Sequence, residues 1–293
     1  MTKINIFQQL KQLNIRPNTD IGQNFLCDET VLKTIIDTYK CGVETPRGAS
    51  LQKTDTIVEI GPGLGILTEQ LVKHAKRVIA IELDRRLISH LQQVAQQYPN
   101  LEIVQNDALQ VNLADFGLSN GSYSVVANLP YQITAQILRK LLTEQPYPKQ
   151  MVLLVQKEVA ERIVAKPGQL SILAISVQAY CKPKIIKIIP PAAFYPAPKV
   201  HSAILELSAI HQQDLIPTSQ EKLFFSVVKA GFAQKRKLLI KNLVNATFKQ
   251  QQLEKKILEQ FFLDSQISWQ ARAQELSLNQ WLELVDKFES FMI

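Results

Sequence analysis

Apolar positions along the chain keep two rhythms. From residue 56 to residue 155 they gather into short, nearly unbroken runs: Thr56–Ile60, Arg77–Glu82, Leu101–Gln105, Tyr123–Ala127 and Gln150–Val155. Runs of that length suit strands buried on both faces. Between most of them lie stretches with apolar residues at helical spacing: Ile66–His74, Asp84–Gln97 and Ala135–Glu144. The alternation predicts βαβ units and a parallel sheet, an α/β domain. Two later runs, Lys184–Ile189 and His201–Leu207, flank the loop PPAAFYPAPK with no helix between them. They are expected to pair as an antiparallel hairpin at the sheet edge.

Outside this region the pattern is helical. Ile4–Leu13 shows weak helical spacing. Glu29–Tyr39 reads as a helix with Asp28 as its N-cap, and Thr45–Thr54 as a loop. From about Ile210 only helical patterns remain. Thr218 with Glu221, and Ser277 with Gln280, have the spacing of capping boxes ahead of apolar-periodic segments. No strand is expected there. The reading is therefore two domains, an α/β domain over residues 1–209 and a small all-helical domain over 210–293, with no internal repeat.

A chain of 293 residues, 46% hydrophobic and 20% charged, can bury a sizeable core, which excludes a disordered or collagenous protein. No apolar run approaches the roughly 20 residues of a membrane helix. The start MTKINIFQQL is unlike a signal peptide. Cys27, Cys41 and Cys181 form neither a disulfide framework nor a zinc pattern, so a cytoplasmic location and no metal are expected. The net charge of +7 is unevenly placed. Residues 1–150 carry 15 basic and 14 acidic groups, residues 151–256 carry 16 and 6, and residues 257–293 carry 2 and 6. A local excess of that size suggests a polyanionic partner. Lys229, Lys235, Arg236, Lys237 and Lys241 are its core and the candidate contacts to that polyanion, with Lys157 and Arg162 extending the track.

Candidate chemistry sits where the expected strands end. The first runs into Gly61-Pro62-Gly63-Leu64-Gly65, a turn that exposes backbone to a ligand. A nicotinamide enzyme would carry G-x-G-x-x-G, but here the spacing is G-x-G-x-G and Pro62 removes one N–H donor. A cofactor without phosphates fits better. Glu82, at the end of the second strand, stands where a carboxylate accepts from both hydroxyls of a ribose. Asp84 reads as a helix N-cap. Asp107, after the third strand, can accept from an adenine amino group. Together these ends suggest S-adenosylmethionine. Glu59, within the first strand, is either an acceptor for the cofactor's cationic end or a structural carboxylate.

The fourth strand ends in Asn128-Leu129-Pro130-Tyr131. An exocyclic adenine amine is a poor nucleophile because its lone pair is delocalised into the ring. Two acceptors beside the NH2 group would orient it and stabilise the positive charge that develops during methyl transfer. The Asn128 side-chain oxygen and the Leu129 carbonyl can do this, and Tyr131 offers a face for the base. In the proline-rich loop, Phe194 is the candidate for the opposite wall of that sandwich.

The segments VEIGPGLG, IELD, NDAL, NLPY, LVQKEVAERI, FYPAPKVHSA, GFAQKRKLLIKNL and RAQELSLNQWL, with Gln23-Asn24-Phe25-Leu26 before them, span nearly the whole chain. On them the sequence resembles the KsgA-type ribosomal RNA adenine dimethyltransferases. The resemblance implies a Rossmann-like class I methyltransferase sheet followed by a helical RNA-binding domain. It implies S-adenosylmethionine bound by Asn24, Leu26, Gly61, Glu82, Asp107 and Asn128, with Asn128 also at the target amine and Tyr131 and Phe194 on the base. The implied reaction is dimethylation at N6 of two adjacent adenosines in a loop near the 3′ end of 16S ribosomal RNA, within a pre-30S particle. No metal is implied, and a monomer is expected. Gln132 replaces a usual Asn, and Lys166–Leu170 is short, with Pro and Gln where Tyr and Arg are usual. The nearest rival is the Erm-type enzyme on 23S ribosomal RNA, against which the QKRK segment and the C-terminal tail speak. A non-catalytic assembly or transcription factor on the same fold is the rival from another class. The intact Asn128, Tyr131 and Glu82 argue against it.

Overall fold

The structure, a computed structural model, describes residues 4–18, 22–41, 55–212, 215–217, 219–248 and 251–292. The expected loop Thr45–Thr54 and the Thr218 cap lie outside the described residues. The chain divides into two compact units, Met1–Ala160 with Lys182–Ile210, and Glu161–Cys181 with His211–Ile293.

The first unit is built on a seven-stranded sheet. Its strands are β1 (Thr56–Ile60), β2 (Arg77–Glu82), β3 (Leu101–Gln105), β4 (Tyr123–Asn128), β5 (Gln150–Gln156), β6 (Lys182–Ile189) and β7 (Ser202–Ser208). Their spatial order is β3-β2-β1-β4-β5-β7-β6. The first five are parallel, while β7 runs antiparallel to both β5 and β6. The hairpin is thus present, with β6 at the edge and its returning strand inserted beside β5. The central strands are apolar on both faces because both faces are covered. Ile57, Val58, Val78, Ile79, Val125, Val152 and Leu153 are all fully buried. The order reverses at β1, which lies between β2 and β4. Ligands of such sheets bind outside the carboxyl ends of the strands at this reversal.

Helices α1 (Ile6–Gln12), α2 (Glu29–Cys41), α3 (Thr68–His74), α4 (Arg85–Gln97) and α5 (Thr134–Thr143) belong to this unit. The Asp28 cap is present, its Oδ1 accepting from Thr30 N at 2.8 Å and Val31 N at 3.2 Å. Asp84 caps α4 through Arg86 N at 3.1 Å. Helix α4 turns Leu87, Ile88, Leu91 and Val94 inward at the spacing its sequence announces. Two short features carry too few residues to show a period. These are the antiparallel pair Phe25–Leu26 with Phe194–Tyr195, and the helices α6 (Lys157–Ile163) and α7 (Ile172–Gln178).

The second unit contains α8 (Glu221–Gly231), α9 (Leu239–Val244), α10 (Lys255–Asp264) and α11 (Leu278–Met292). It takes in Glu161–Cys181 as well as the residues expected from 210 onward. Gly168 N and Leu170 N donate to Gln274 O at 2.8 and 3.3 Å, which ties the shortened 166–170 segment to the RAQELS stretch. Trp281, Phe224, Phe262 and Phe288 form its interior, all fully buried. Gly231 permits the closest approach, since a Cβ there would lie 2.5 Å from Trp281 Cη2. The Ser277–Gln280 box is formed reciprocally, at 3.0 and 3.2 Å. The expectation of no strand in this region is corrected by the two-residue ladder of Thr247–Phe248 with Gln251–Gln252, again too short for a periodic signal. Among the described residues no helix is long and apolar enough to cross a membrane.

Candidate active site

The carboxyl ends of β1, β2, β3 and β4 surround a cavity of about 180 Å³. Eight of the expected residues meet in its lining: Asn24, Leu26, Gly61, Glu82, Asp107, Asn128, Leu129 and Tyr131. They come from segments spread over more than a hundred positions, so it is the strand order that brings them together.

Gly61 and Gly63 turn the chain with φ of +70° and +59°, a region side chains resist. A Cβ on Gly63 would also lie 3.0 Å from the Phe25 ring. The turn is clamped from the next strand. Gly63 N donates to Glu82 Oε2 at 3.0 Å, and Asp84 N donates to Glu82 Oε1 at 2.8 Å. Glu82 is 5% exposed. Burial raises its pKa, while the backbone donors of Asp84 and Gly63 pull the other way. Asp107 is held by Leu109 N, which donates to its Oδ1 at 2.9 Å. Both carboxylates thus point from fixed backbone at the strand ends.

Glu59 is the unusual group. It is fully buried in β1 and lines the cavity, and its Oε2 has no hydrogen-bond partner. Burial is the main cause that raises its pKa to about 8. The nearby Thr68 hydroxyl favours the charged form and the like charge of Glu82 opposes it. An unsatisfied carboxylate of this kind, beside a turn of bare backbone, matches what the cationic end of S-adenosylmethionine would need. The donor set fits that cofactor: acceptors at Glu82 and Asp107 for an adenosine, and Glu59 for a positive charge.

At the end of β4 the geometry fixes the orientation of Asn128. Its Nδ2 donates to Asn24 O at 2.9 Å. A carbonyl can only accept, so the amide nitrogen must face Asn24 and Oδ1 is left as the free acceptor. Leu129 N is tied to Leu154 O at 3.1 Å. The Tyr131 hydroxyl and Ser202 Oγ are 2.7 Å apart, which anchors the ring to β7. Burial raises the Tyr131 pKa. Ser202 lies within FYPAPKVHSA, but no spacing argument couples it to Tyr131.

Phe194 is set inside the fold. It does not stand at an exposed loop tip and does not line the cavity. At 3% exposure it is buried in the core with Leu26, its partner across the short strand pair. Pairing with Phe25–Leu26 draws it inward, and the exposed ring of the loop is Tyr195.

Other lining residues, Gln23, Leu83 and Gln132, were given no role by the sequence. Gln23 Nε2 donates to Asp84 Oδ2 at 2.8 Å, and Arg86 holds the same carboxylate through Nη2 at 2.6 Å. The Arg86 side chain is the main cause that lowers the Asp84 pKa. This network fastens the N-terminal segment beside Glu82. Gln132 packs on Gly22, whose Cβ would lie 3.7 Å from its side chain. Leu83, 56% exposed at the rim, offers an apolar edge.

A family model for "Ribosomal RNA adenine dimethylase" matches residues 14–290. The chain belongs to the ribosomal RNA adenine dimethylase family. Curated relatives include "Ribosomal RNA small subunit methyltransferase A" of Dehalococcoides mccartyi, 37% identical over 94% of this chain and 89% of that one. The protein of the same name from Clostridium acetobutylicum is 37% identical over 98% and 99%. Among solved structures, a dimethyladenosine transferase from Plasmodium falciparum superposes with a TM-score of 0.75 at 26% identity, over 92% and 98% of the two chains. The 23S rRNA methyltransferase ErmE gives 0.69 at 24% identity over 91% and 100%, a likeness of fold. The seven-stranded sheet is thus the class I methyltransferase sheet.

In this dimethylase the five basic candidates lie in the helical unit. Lys229 is in the last turn of α8, Lys235–Lys237 form the turn after it, and Lys241 is in α9. All five are exposed, and none makes an ion pair among the described residues. Lys237 and Lys241 line one depression with Lys255 and Asn245. Lys229, Lys235 and Arg236 lie outside it. No group of acidic, His or Cys side chains among the described residues is arranged to hold a metal ion.

Proposed function

We propose that this dimethylase adds two methyl groups at N6 of each of two adjacent adenosines in a loop near the 3′ end of 16S ribosomal RNA. It would act as a cytoplasmic monomer on a pre-30S particle. The first unit carries the cofactor and the chemistry, and the helical unit grips RNA. S-adenosylmethionine, when bound, supplies an electrophilic methyl group. The observation that carries the reading is the Asn24–Asn128 bond, which leaves Asn128 Oδ1 as an acceptor in a cavity that Leu129 also lines, with the Leu129 carbonyl as the second acceptor of the proposal. These two oxygens orient an adenine amine and stabilise the charge it gains. Tyr131, fixed by Ser202, is the stacking surface. Phe194, in the core beside Leu26, is the candidate for the opposite wall of that sandwich. Glu82 and Asp107 hold the adenosine end of the cofactor, Asn24 and Leu26 cover it, and Gly61 lets it approach the backbone.

Large-subunit RNA is the competing substrate, and the names of the curated relatives favour the small subunit. The test is to incubate the protein with labelled S-adenosylmethionine and undermethylated small or large subunits, then map the labelled adenines. Label in adjacent adenines near the small-subunit 3′ end is expected. Label confined to large-subunit RNA would overturn the choice, and no label with either would favour a non-catalytic factor.

Replacing Lys235, Arg236 and Lys237 by glutamine should weaken subunit binding and flatten its salt dependence. Each lost phosphate contact removes a slope of roughly 0.7 to 0.9 in log affinity against log salt. An unmoved slope would make these residues a solvated surface.

A further inference from the structure

Beside the cavity, two aromatic rings face solvent together. Phe7 is 58% exposed and Tyr195 37%, and their rings meet edge to face with centroids 5.9 Å apart. Both are held from beneath. Helix α1 buries Ile6 and Leu10 against Phe25, Cys27, Leu64, Leu87 and Leu91, which turns Phe7 outward. Ile4 N donates to Cys27 O at 2.9 Å and fixes the approach to the helix. Tyr195 pairs across the short ladder with Phe25, which itself lines the cavity. The exposed pair is therefore linked to the cavity wall through Phe25.

We propose that Phe7 and Tyr195 form a platform for a second nucleobase, that of the nucleotide flanking the adenosine held at Asn128. The inference rests on the RNA reading above. Drawing one base into a pocket breaks its stacking with its neighbour, and the neighbour then lacks a partner for its face. An enzyme that modifies two adjacent adenosines meets this in both steps. A fixed aromatic surface replaces the lost stacking without reading sequence. The surrounding charge suits RNA rather than an apolar peptide or a second copy of the chain. The loop 190–201 carries no acidic residue, and its Lys199 is exposed.

The test measures KM for undermethylated small subunits, with kcat and cofactor affinity alongside. Phe7→Ala combined with Tyr195→Ala should raise KM about ten-fold, the order expected for losing one base–aromatic stack, and leave cofactor affinity unchanged. Phe7→Leu should behave like Phe7→Ala, because it restores apolar area without a π face. Phe7→Trp should keep the wild-type KM, and its added indole fluorescence should be quenched when the subunits bind. An unchanged KM in the double variant overturns the platform, as does rescue by leucine, which would point to an apolar protein partner. A wild-type protein that methylates no subunit overturns the functional reading and the platform with it. Active wild type with an insensitive double variant overturns the platform alone.

Discussion

Replacing Asn128 with alanine is expected to abolish measurable methyl transfer while leaving most of the cofactor affinity in place. Removing one preorganised hydrogen-bonding group aimed at developing charge typically lowers kcat by roughly 10²–10³. Here the loss is compounded because Asn128 holds the N-terminal segment as well, through Nδ2 to Asn24 O at 2.9 Å. Asn128→Asp separates the two roles. It keeps an acceptor for the amine, but sets a carboxylate oxygen against the Asn24 carbonyl, where neither can donate. It should retain weak activity with a disturbed N-terminal segment. Methyl incorporation gives turnover and calorimetry gives cofactor affinity. If the alanine variant turned over normally, Asn128 would not be the residue at the amine.

How much of this could be read beforehand depended on the range of the interactions. The strands of the sheet were legible because burial on both faces leaves only apolar residues. Thr56–Ile60, Arg77–Glu82 and Leu101–Gln105 form over the expected residues. The strand-end residues were legible as well, since a parallel sheet collects its carboxyl ends at one edge. Contacts between distant segments were not. Gln23 and Asp84 are 61 positions apart, and nothing local to Asp84 distinguishes a cap from a cap that also latches another segment. The burial of Phe194 was not legible for the same reason. The residue stands in a proline-rich loop, yet its environment is set by Leu26 across a two-residue ladder. The inclusion of Glu161–Cys181 in the helical unit likewise rests on distant contacts, from Gly168 and Leu170 to Gln274 and from Tyr180 to Glu221 and Phe225. Glu59 lay between these cases. Its place in a buried strand was visible, but the orphaned oxygen emerges only from the packing.

The second large effect is expected at Glu82, and it should appear in binding rather than turnover. A carboxylate that accepts from both ribose hydroxyls makes two charge-assisted hydrogen bonds, each worth about 1.5–3 kcal/mol. Allowing for the water that replaces it, Glu82→Ala should raise the cofactor Kd by about 100-fold. The structure adds a second contribution. Gly63 N and Asp84 N both donate to this carboxylate, so alanine leaves two inward-facing donors without an acceptor and loosens the turn that supports Gly61. Glu82→Gln distinguishes the contributions, because its single side-chain oxygen can satisfy one backbone donor but carries no charge. It should fall between wild type and alanine in Kd and melt closer to wild type. At saturating cofactor, turnover in the glutamine variant should stay within a few-fold of wild type, since Glu82 ends β2 while Asn128 ends β4 on the other side of β1. An unchanged Kd in the alanine variant would remove Glu82 from the cofactor site and leave it as a structural clamp on the glycine turn.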